Sequence, residues 1–254
     1  MDINNNTVLI TGGGSGIGLA LAVKLLQMGN TVIICGRNKS RLERAKQENP
    51  ALHFIVCDIT KDEDRDHLVR FIEKQFPNLN ILINNAAVQL YINLTSADVN
   101  NKDTQLQIET NLIAPINLIG KMLAVLSANK NPTIVNITSD LAYVPMAIAP
   151  IYCATKAAMH SFTTSLRHQL RGSQIKVFEV FPPVTNTELD NLKTKKAEPE
   201  YVAKKIISGL SKERWEIRVG QAKWIYLMSR LCPKFMFHIL NEVVDRSRKE
   251  LITK

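Results

Sequence analysis

The segment "IYCATKAAMHSF", residues 151 to 162, sets Tyr152 and Lys156 four residues apart, and "EYVAKK" repeats that spacing as Tyr201 and Lys205. Side chains at i and i+4 share one face of a helix. An ammonium on that face stabilises a phenolate and lowers a phenol pKa that is ~10 when unperturbed, which suits the phenol to donating a proton. Because the chain holds two such pairs, spacing alone selects neither, and the elements around each pair must decide.

Those elements follow from hydrophobic patterning. Short apolar, β-branched runs recur as "TVLI" (7 to 10), "TVIIC" (31 to 35), "HFIVC" (53 to 57), "NILIN" (80 to 84), "TIVNI" (133 to 137), "IKVFEV" (175 to 180) and "WEIRV" (215 to 219). They read as buried strands. The intervening segments are long enough for helices, such as Ile17 to Met28 with Ile17, Leu21 and Leu25 on one face. Parallel pairing through right-handed crossovers is then the economical topology. The expected fold is α/β, a doubly wound sheet of seven parallel strands flanked by helices. One domain is expected over residues 1–220, with a helical extension, 221–254, packed on it. No repeat, low-complexity tract or flexible linker interrupts the chain. The polar stretch 185 to 199, "TNTELDNLKTKKAEP", is the one long connection, and in open α/β sheets such loops hold ligands.

"TVLITGGGSGIGLALAVKLL" puts Gly12, Gly16 and Gly18, with Ile17 between the last two, directly between the first strand and the first helix. Glycines there let the backbone approach a pyrophosphate, and helix N-terminal amides face its charge, so a dinucleotide site is expected. The second strand bears on which dinucleotide. An acid at its end would bind the ribose 2′-hydroxyl, but "IICGRN" offers Arg37, which suits a 2′-phosphate or else is a solvated charge opening the next helix. Asp58, closing the third strand, either accepts from the adenine amino group or caps the helix starting near Lys61.

Composition narrows the partners. The net charge of +9 is lopsided: residues 190 to 254 hold 15 Lys+Arg against 8 Asp+Glu, while residues 1 to 189 hold 17 against 15. No basic stripe interleaved with aromatics lies outside the C-terminal quarter, so nucleic acid is not an expected partner. Cys35, Cys57, Cys153 and Cys232 form no CxxC and lie far apart, which suggests reduced, buried packing thiols and no metal site. The start "MDINNNTVLITGGG" lacks the basic and apolar zones of a signal peptide, and no stretch reads as transmembrane, so a cytoplasmic protein is expected.

Taken together, these residues resemble the short, single-domain branch of the short-chain dehydrogenase/reductase superfamily, over residues 7 to about 220, and the whole chain most resembles its bacterial DltE-like oxidoreductases. The resemblance rests on Gly12, Gly16 and Gly18, on Asn84, Asn85 and Ala86 after the fourth strand, and on Ser139 standing 13 residues before Tyr152. It implies a Rossmann-type fold and a catalytic set of Asn111, Ser139, Tyr152 and Lys156. It further implies cofactor contacts from Asn85, Ala86, Tyr152, Lys156 and Thr187. Two departures stand out. Ala87 replaces a glycine, and "PP", Pro182 and Pro183, replaces Pro-Gly after the sixth strand, where Pro183 removes an amide donor near the nicotinamide position. The step of 13 back from Tyr201 lands on Glu188, so the second pair is expected to be a surface coincidence.

The implied reaction is NADP(H)-dependent interconversion of a carbonyl and an alcohol. Tyr152 gives the proton, Ser139 binds the same oxygen, Lys156 tunes Tyr152 and holds the ribose, and Asn111 holds a water leading to solvent. NADP(H) is expected over NAD(H), the substrate is a small molecule, and the assembly is a homodimer. The alternatives are an isomerase or dehydratase on the same fold, or a nucleotide-sensing regulator without turnover. After the last strand some 35 residues remain, rich in Met, aromatics and cations. A helical pair covering the chain's own core or a dimer partner is the plainer reading, ahead of a roof over an apolar cleft and of membrane-surface contact.

Overall fold

Successive residues of the first strand, β1 (Thr7–Thr11), point to opposite sides, and both sides are buried: Val8 and Ile10 join one apolar cluster, Leu9 the other. A strand buried on both faces needs helices above and below it. In the computed structural model, which describes residues 1–94, 101–187, 189 and 196–252 (side chains to 246), the chain supplies them in alternation. The order is β1, α1 (Gly16–Gln27), β2 (Thr31–Gly36), α2 (Lys39–Glu48), β3 (His53–Val56), α3 (Asp62–Gln75), β4 (Ile81–Asn84) and α4 (Asn101–Ile108). A π-helical turn (Glu109–Ile113) then leads into α5 (Ala114–Ser127), β5 (Thr133–Ile137), a 3-10 turn (Asp140–Ala142), α6 (Pro150–Gln169), β6 (Lys176–Phe181), α7 (Pro199–Ser211) and β7 (Glu216–Arg218). A helical hairpin, α8 (Ala222–Leu231) and α9 (Pro233–Ile252), follows.

The seven strands form one sheet in the order β3-β2-β1-β4-β5-β6-β7, every pairing parallel. Ile10 pairs with Ile34 on one side and Ile83 on the other. Leu21 and Leu25 of α1 and Val202 and Ile206 of α7 fill one face of the sheet. Leu68 and Ile72 of α3, Leu118 and Met122 of α5 and Leu166 of α6 fill the other. The direction of strand succession reverses between β1 and β4, so the loops leaving these two strands diverge and open a crevice at their carboxyl ends.

By length and composition the continuous helical run Asn101–Ser127 could cross a membrane, although no stretch of the sequence reads as transmembrane. Half of its apolar window is buried, and Leu118, Ile119, Met122 and Leu126 pack against the sheet. Cys35, Cys57 and Cys153 are buried as expected. Cys232 is not: it lies exposed at the joint between α8 and α9, where no core reaches it.

Candidate active site

The turn after β1 is shaped by what a side chain would strike. Gly12 and Gly16 hold φ of 64° and 54°, the left-handed region that favours glycine, and a Cβ on Gly12 would lie 2.8 Å from the Ala86 Cα. At Gly18 a Cβ would come within 2.5 Å of both the Asn85 Nδ2 and the Gly12 carbonyl oxygen, so this glycine seats α1 against the turn and does not line the cleft. Thr11 Oγ1 accepts from the amides of Asn85 (3.0 Å) and Ala86 (3.1 Å). The Asn85 Nδ2 donates back to the carbonyls of Thr11 (3.0 Å) and Gly12 (3.1 Å). The Asn-Asn-Ala segment after β4 therefore latches onto the glycine turn.

Above this turn lies a cleft of about 360 Å³. Gly12, Gly14, Gly16 and Ile17 form its floor, Arg37, Arg41 and Asp58 one end, and Asn85, Ala86, Tyr152, Lys156 and Thr187 the other. Arg41 was not foreseen in the sequence. Its signal was there, since it sits on the first turn of α2, four residues after Arg37, with its amide held by the N-cap Asn38 at 3.0 Å. Of the two readings of Asp58, the helix cap is corrected. Helix α3 begins at Asp62 behind Lys61, whereas Asp58 Oδ1 accepts from Thr60 N (3.1 Å) and Thr60 Oγ1 (2.8 Å), closing its own turn at the cleft edge. A Cβ on Gly16 would lie 2.9 Å from the Thr187 methyl, so the loop after β6 rests on the glycine turn. Pro182 lines the cleft; the Pro183 carbonyl accepts from Thr185 Oγ1 at 2.7 Å.

Tyr152 and Lys156 occupy the buried face of α6, the tyrosine 5% exposed. The Lys156 Nζ lies 5.5 Å from the centroid of the Tyr152 ring and donates to the Ile137 carbonyl at 3.0 Å. Burial pulls the lysine down to about 8, with the buried carboxylate of Glu179 opposing the shift. Tyr201 and Lys205 reproduce the local geometry at 5.4 Å, but Tyr201 is 44% exposed on α7, and neither residue lines the cleft.

Ser139 and Asn111 are buried nearby but do not line the cleft. The Ser139 Oγ caps the 3-10 turn, accepting from Leu141 N at 3.1 Å, and donates to Asp140 Oδ1 at 3.3 Å. Asp140 is buried, and desolvation pushes it up to about 6. Asn111 lies in the π-helical turn. Its Oδ1 accepts from Val88 N at 2.8 Å, and its Nδ2 donates to Val88 O (2.8 Å) and Thr155 Oγ1 (3.2 Å). It thereby ties the Val88 wall of the cleft to α6, one residue before Lys156.

One group escaped the sequence reading altogether. Glu179 is fully buried on β6, and its Oε2 lies 2.9 Å from the Nδ1 of His160, the next residue at helical spacing after Tyr152 and Lys156. Its other oxygen has no hydrogen-bond partner among the described residues. The hydrogen bond raises the His160 pKa, while burial raises that of Glu179. A single acid inside the apolar run "IKVFEV" gave no sign of facing a helix.

Residues 6–198 match the model of the short chain dehydrogenase family. The oxidoreductase DltE of Bacillus subtilis (strain 168) is 45% identical over 190 residues, which cover 75% of each chain. An oxidoreductase of Staphylococcus epidermidis is 29% identical over 214 residues, 82% of this chain and 92% of its own. Among solved structures, a short chain dehydrogenase from Burkholderia cenocepacia J2315 in complex with NADP superposes with a TM-score of 0.84 at 23% identity, covering 94% of this chain and 99% of its own. One from Burkholderia phymatum in complex with NAD gives 0.82 at 19% identity, covering 91% and 94%. With the family model spanning most of its length, this chain belongs to the short chain dehydrogenases and is an oxidoreductase of that family.

Proposed function

We propose that the protein is an NADP(H)-dependent oxidoreductase that interconverts a carbonyl and an alcohol, with Tyr152 as the general acid in reduction and the base in oxidation. The observation that carries this reading is that one cleft is lined both by the glycine turn and by the buried Tyr152–Lys156 pair. A nicotinamide dinucleotide fits the residues present. The turn can approach Ala86 and Thr187 this closely only because Gly12 and Gly16 lack side chains, and the N-terminus of the 12-residue α1 opens beside it. When bound, the nicotinamide supplies or takes the hydride.

The chain's own groups do the rest. Arg37 and Arg41, at the end of β2 and the start of α2, offer guanidinium forks suited to a 2′-phosphate. As negative charge grows on the substrate oxygen, the Tyr152 hydroxyl transfers its proton to that atom. The Ser139 hydroxyl turns from Asp140 to the same oxygen. Lys156, fixed by the Ile137 carbonyl, keeps a positive charge beside the phenolate left behind and hydrogen-bonds the ribose. Both ends of the Asn111 amide are engaged with Val88 and Thr155, so for Asn111 to hold a water leading from Lys156 to solvent its side chain would have to release one of these bonds. Thr187, which lines the cleft, would bond the carboxamide.

A panel of aldehydes, ketones and alcohols assayed with NADPH, NADH and their oxidised forms tests the reading. Substrate-dependent consumption of NADPH is expected. Tight NADPH binding with no turnover on any compound would favour a nucleotide-sensing role instead.

A further inference from the structure

Helices α8 and α9 are constructed unlike the rest of the chain. Across residues 222–246 only Ala222 and Val244 are buried, although the segment is rich in large apolar side chains. Trp224 is 71% exposed and Leu231 67%, and Leu227, Phe235, Phe237 and Ile239 are exposed too. Trp224, Leu227 and Leu231, at i, i+3 and i+7, fall on one face of α8, and Phe235 and Ile239 share a face of α9. The hairpin is rooted in the fold through both helices: Tyr226 of α8 lies edge-on to Tyr143 (5.0 Å) with the Arg218 guanidinium over its ring (3.8 Å), and α9 is held from its middle. Asn241 accepts from Ala147 N (2.7 Å) and donates to Pro145 O (3.2 Å), while Val244 packs with Met146, Ala149 and Tyr152.

Charge selects the occupant of this face. From Val219 to Asn241 the sequence holds Lys223, Arg230 and Lys234, all exposed, and no Asp or Glu. The nearest acid along α9, Glu242, is already paired with His238 (2.9 Å) and Arg246 (3.5 Å). A second copy docked by a two-fold axis through this face would set these cations against themselves with no carboxylate from the segment between them. Trp, Phe and Leu on the outer face with Lys and Arg interspersed is the composition of helices that lie in the headgroup region of a bilayer.

We propose that the α8–α9 hairpin docks on an anionic lipid surface, with Trp224, Leu231 and Phe235 entering the headgroup region and Lys223, Arg230 and Lys234 meeting the lipid charge. Docking is peripheral, because among the described residues neither helix is long and apolar enough to cross a bilayer. It requires no substrate or cofactor, so its test is independent of the reaction proposed above.

The full chain contains two tryptophans, Trp215 and Trp224, and a Trp215→Phe variant reports on Trp224 alone. Phosphatidylcholine vesicles with about one third phosphatidylserine are expected to cosediment with the protein and shift Trp224 emission to the blue. Phosphatidylcholine alone should bind at least about fivefold less, and 0.5 M salt should release most of the protein from the anionic vesicles. The triple variant Lys223→Glu, Arg230→Glu, Lys234→Glu should lose about tenfold or more in partitioning, with its circular dichroism and NADPH binding unchanged. Absence of binding to anionic vesicles would overturn the proposal, as would equal binding to both vesicle types. So would a blue shift that grows with protein concentration in the absence of lipid and disappears in Leu231→Ser, Phe235→Ser, a variant that keeps the Trp224 reporter; that result would assign the face to a second copy.

Discussion

The Lys156 ammonium stands 5.5 Å from the centre of the Tyr152 ring, and both groups are buried. Lys205 stands 5.4 Å from Tyr201, at the surface. The i, i+4 spacing thus produces the same local arrangement twice, and burial separates the two. Unit charges about 5 Å apart attract by roughly 0.8 kcal/mol in bulk water and by about 3 kcal/mol at an effective dielectric near 20. Only the buried pair can stabilise a phenolate strongly enough to matter for proton transfer.

Arg37 and Arg41 at one end of the cleft predict a cofactor preference. NADPH should bind at least about tenfold more tightly than NADH, a difference of ~1.4 kcal/mol, and Arg37→Glu should remove it. Fluorescence titration of both nucleotides measures this. Equal affinities in the native protein would contradict the assignment, and so would an Arg37→Glu variant that still prefers NADPH.

Asp140 predicts a stability change with a definite sign. Its folded-state pKa of about 6 lies above the free value of 3.8, so its favourable contribution is complete below pH 3.8 and is lost as pH rises through 6. Ionised at pH 7, it is a burden of up to about 3 kcal/mol. Asp140→Asn should therefore raise the Tm at pH 7 by about 3 to 9 °C and leave it nearly unchanged at pH 3.5. Thermal unfolding at the two pH values decides; an unchanged or lower Tm at pH 7 would show that the carboxylate is better satisfied than its burial indicates.

The hydrogen bond between His160 and Glu179 makes the complementary case. The His160 pKa is raised above 6.5, so the stability it contributes is present below that value and fades as pH rises through the folded-state pKa. Because the ring is partly reached by solvent, His160→Gln should cost only on the order of 1 kcal/mol at pH 6 and less at pH 9. Urea unfolding at both pH values measures the difference. A loss that grows with pH would reverse the sign of the coupling.

Much of the architecture could be read in advance because it depends on local pattern. Each of the seven β-branched runs became a strand, and the glycine spacing between β1 and α1 marked the turn where Gly12 and Gly16 take positive φ. What escaped depends on contacts between distant segments. The latch of Asn85 on Thr11 spans 74 residues, and the tie from Asn111 to Val88 spans 23. Glu179 was hidden because a strand buried on both faces gives no polar alternation from which its direction could be inferred. The sequence does not decide the exposure of α8 and α9 for the opposite reason: an amphipathic pattern shows that a helix has an apolar face, but not whether the fold covers that face.

Assembly is a further expectation. Ile108 and Ile113 are exposed on the run through α4, the π-helical turn and α5, beside α6, and a homodimer through these long helices would cover them. Light scattering at micromolar concentration should give twice the 28.5 kDa chain mass, and Ile113→Glu should yield monomers. A tetramer, or a native monomer, would contradict this.

The central claim, that Tyr152 is the proton donor, is tested most directly by comparing Tyr152→Phe with Tyr201→Phe in the NADPH-dependent reduction of whichever carbonyl compound the panel identifies. Tyr152→Phe retains the ring packed against Met146 and Val244 but has no proton to give, so kcat should fall by about 10²- to 10⁴-fold or more while NADPH binding persists. Tyr201→Phe removes a surface hydroxyl and should leave kcat within about twofold. Equal losses in the two variants, or a Tyr152→Phe enzyme that retains most of its turnover, would contradict the account.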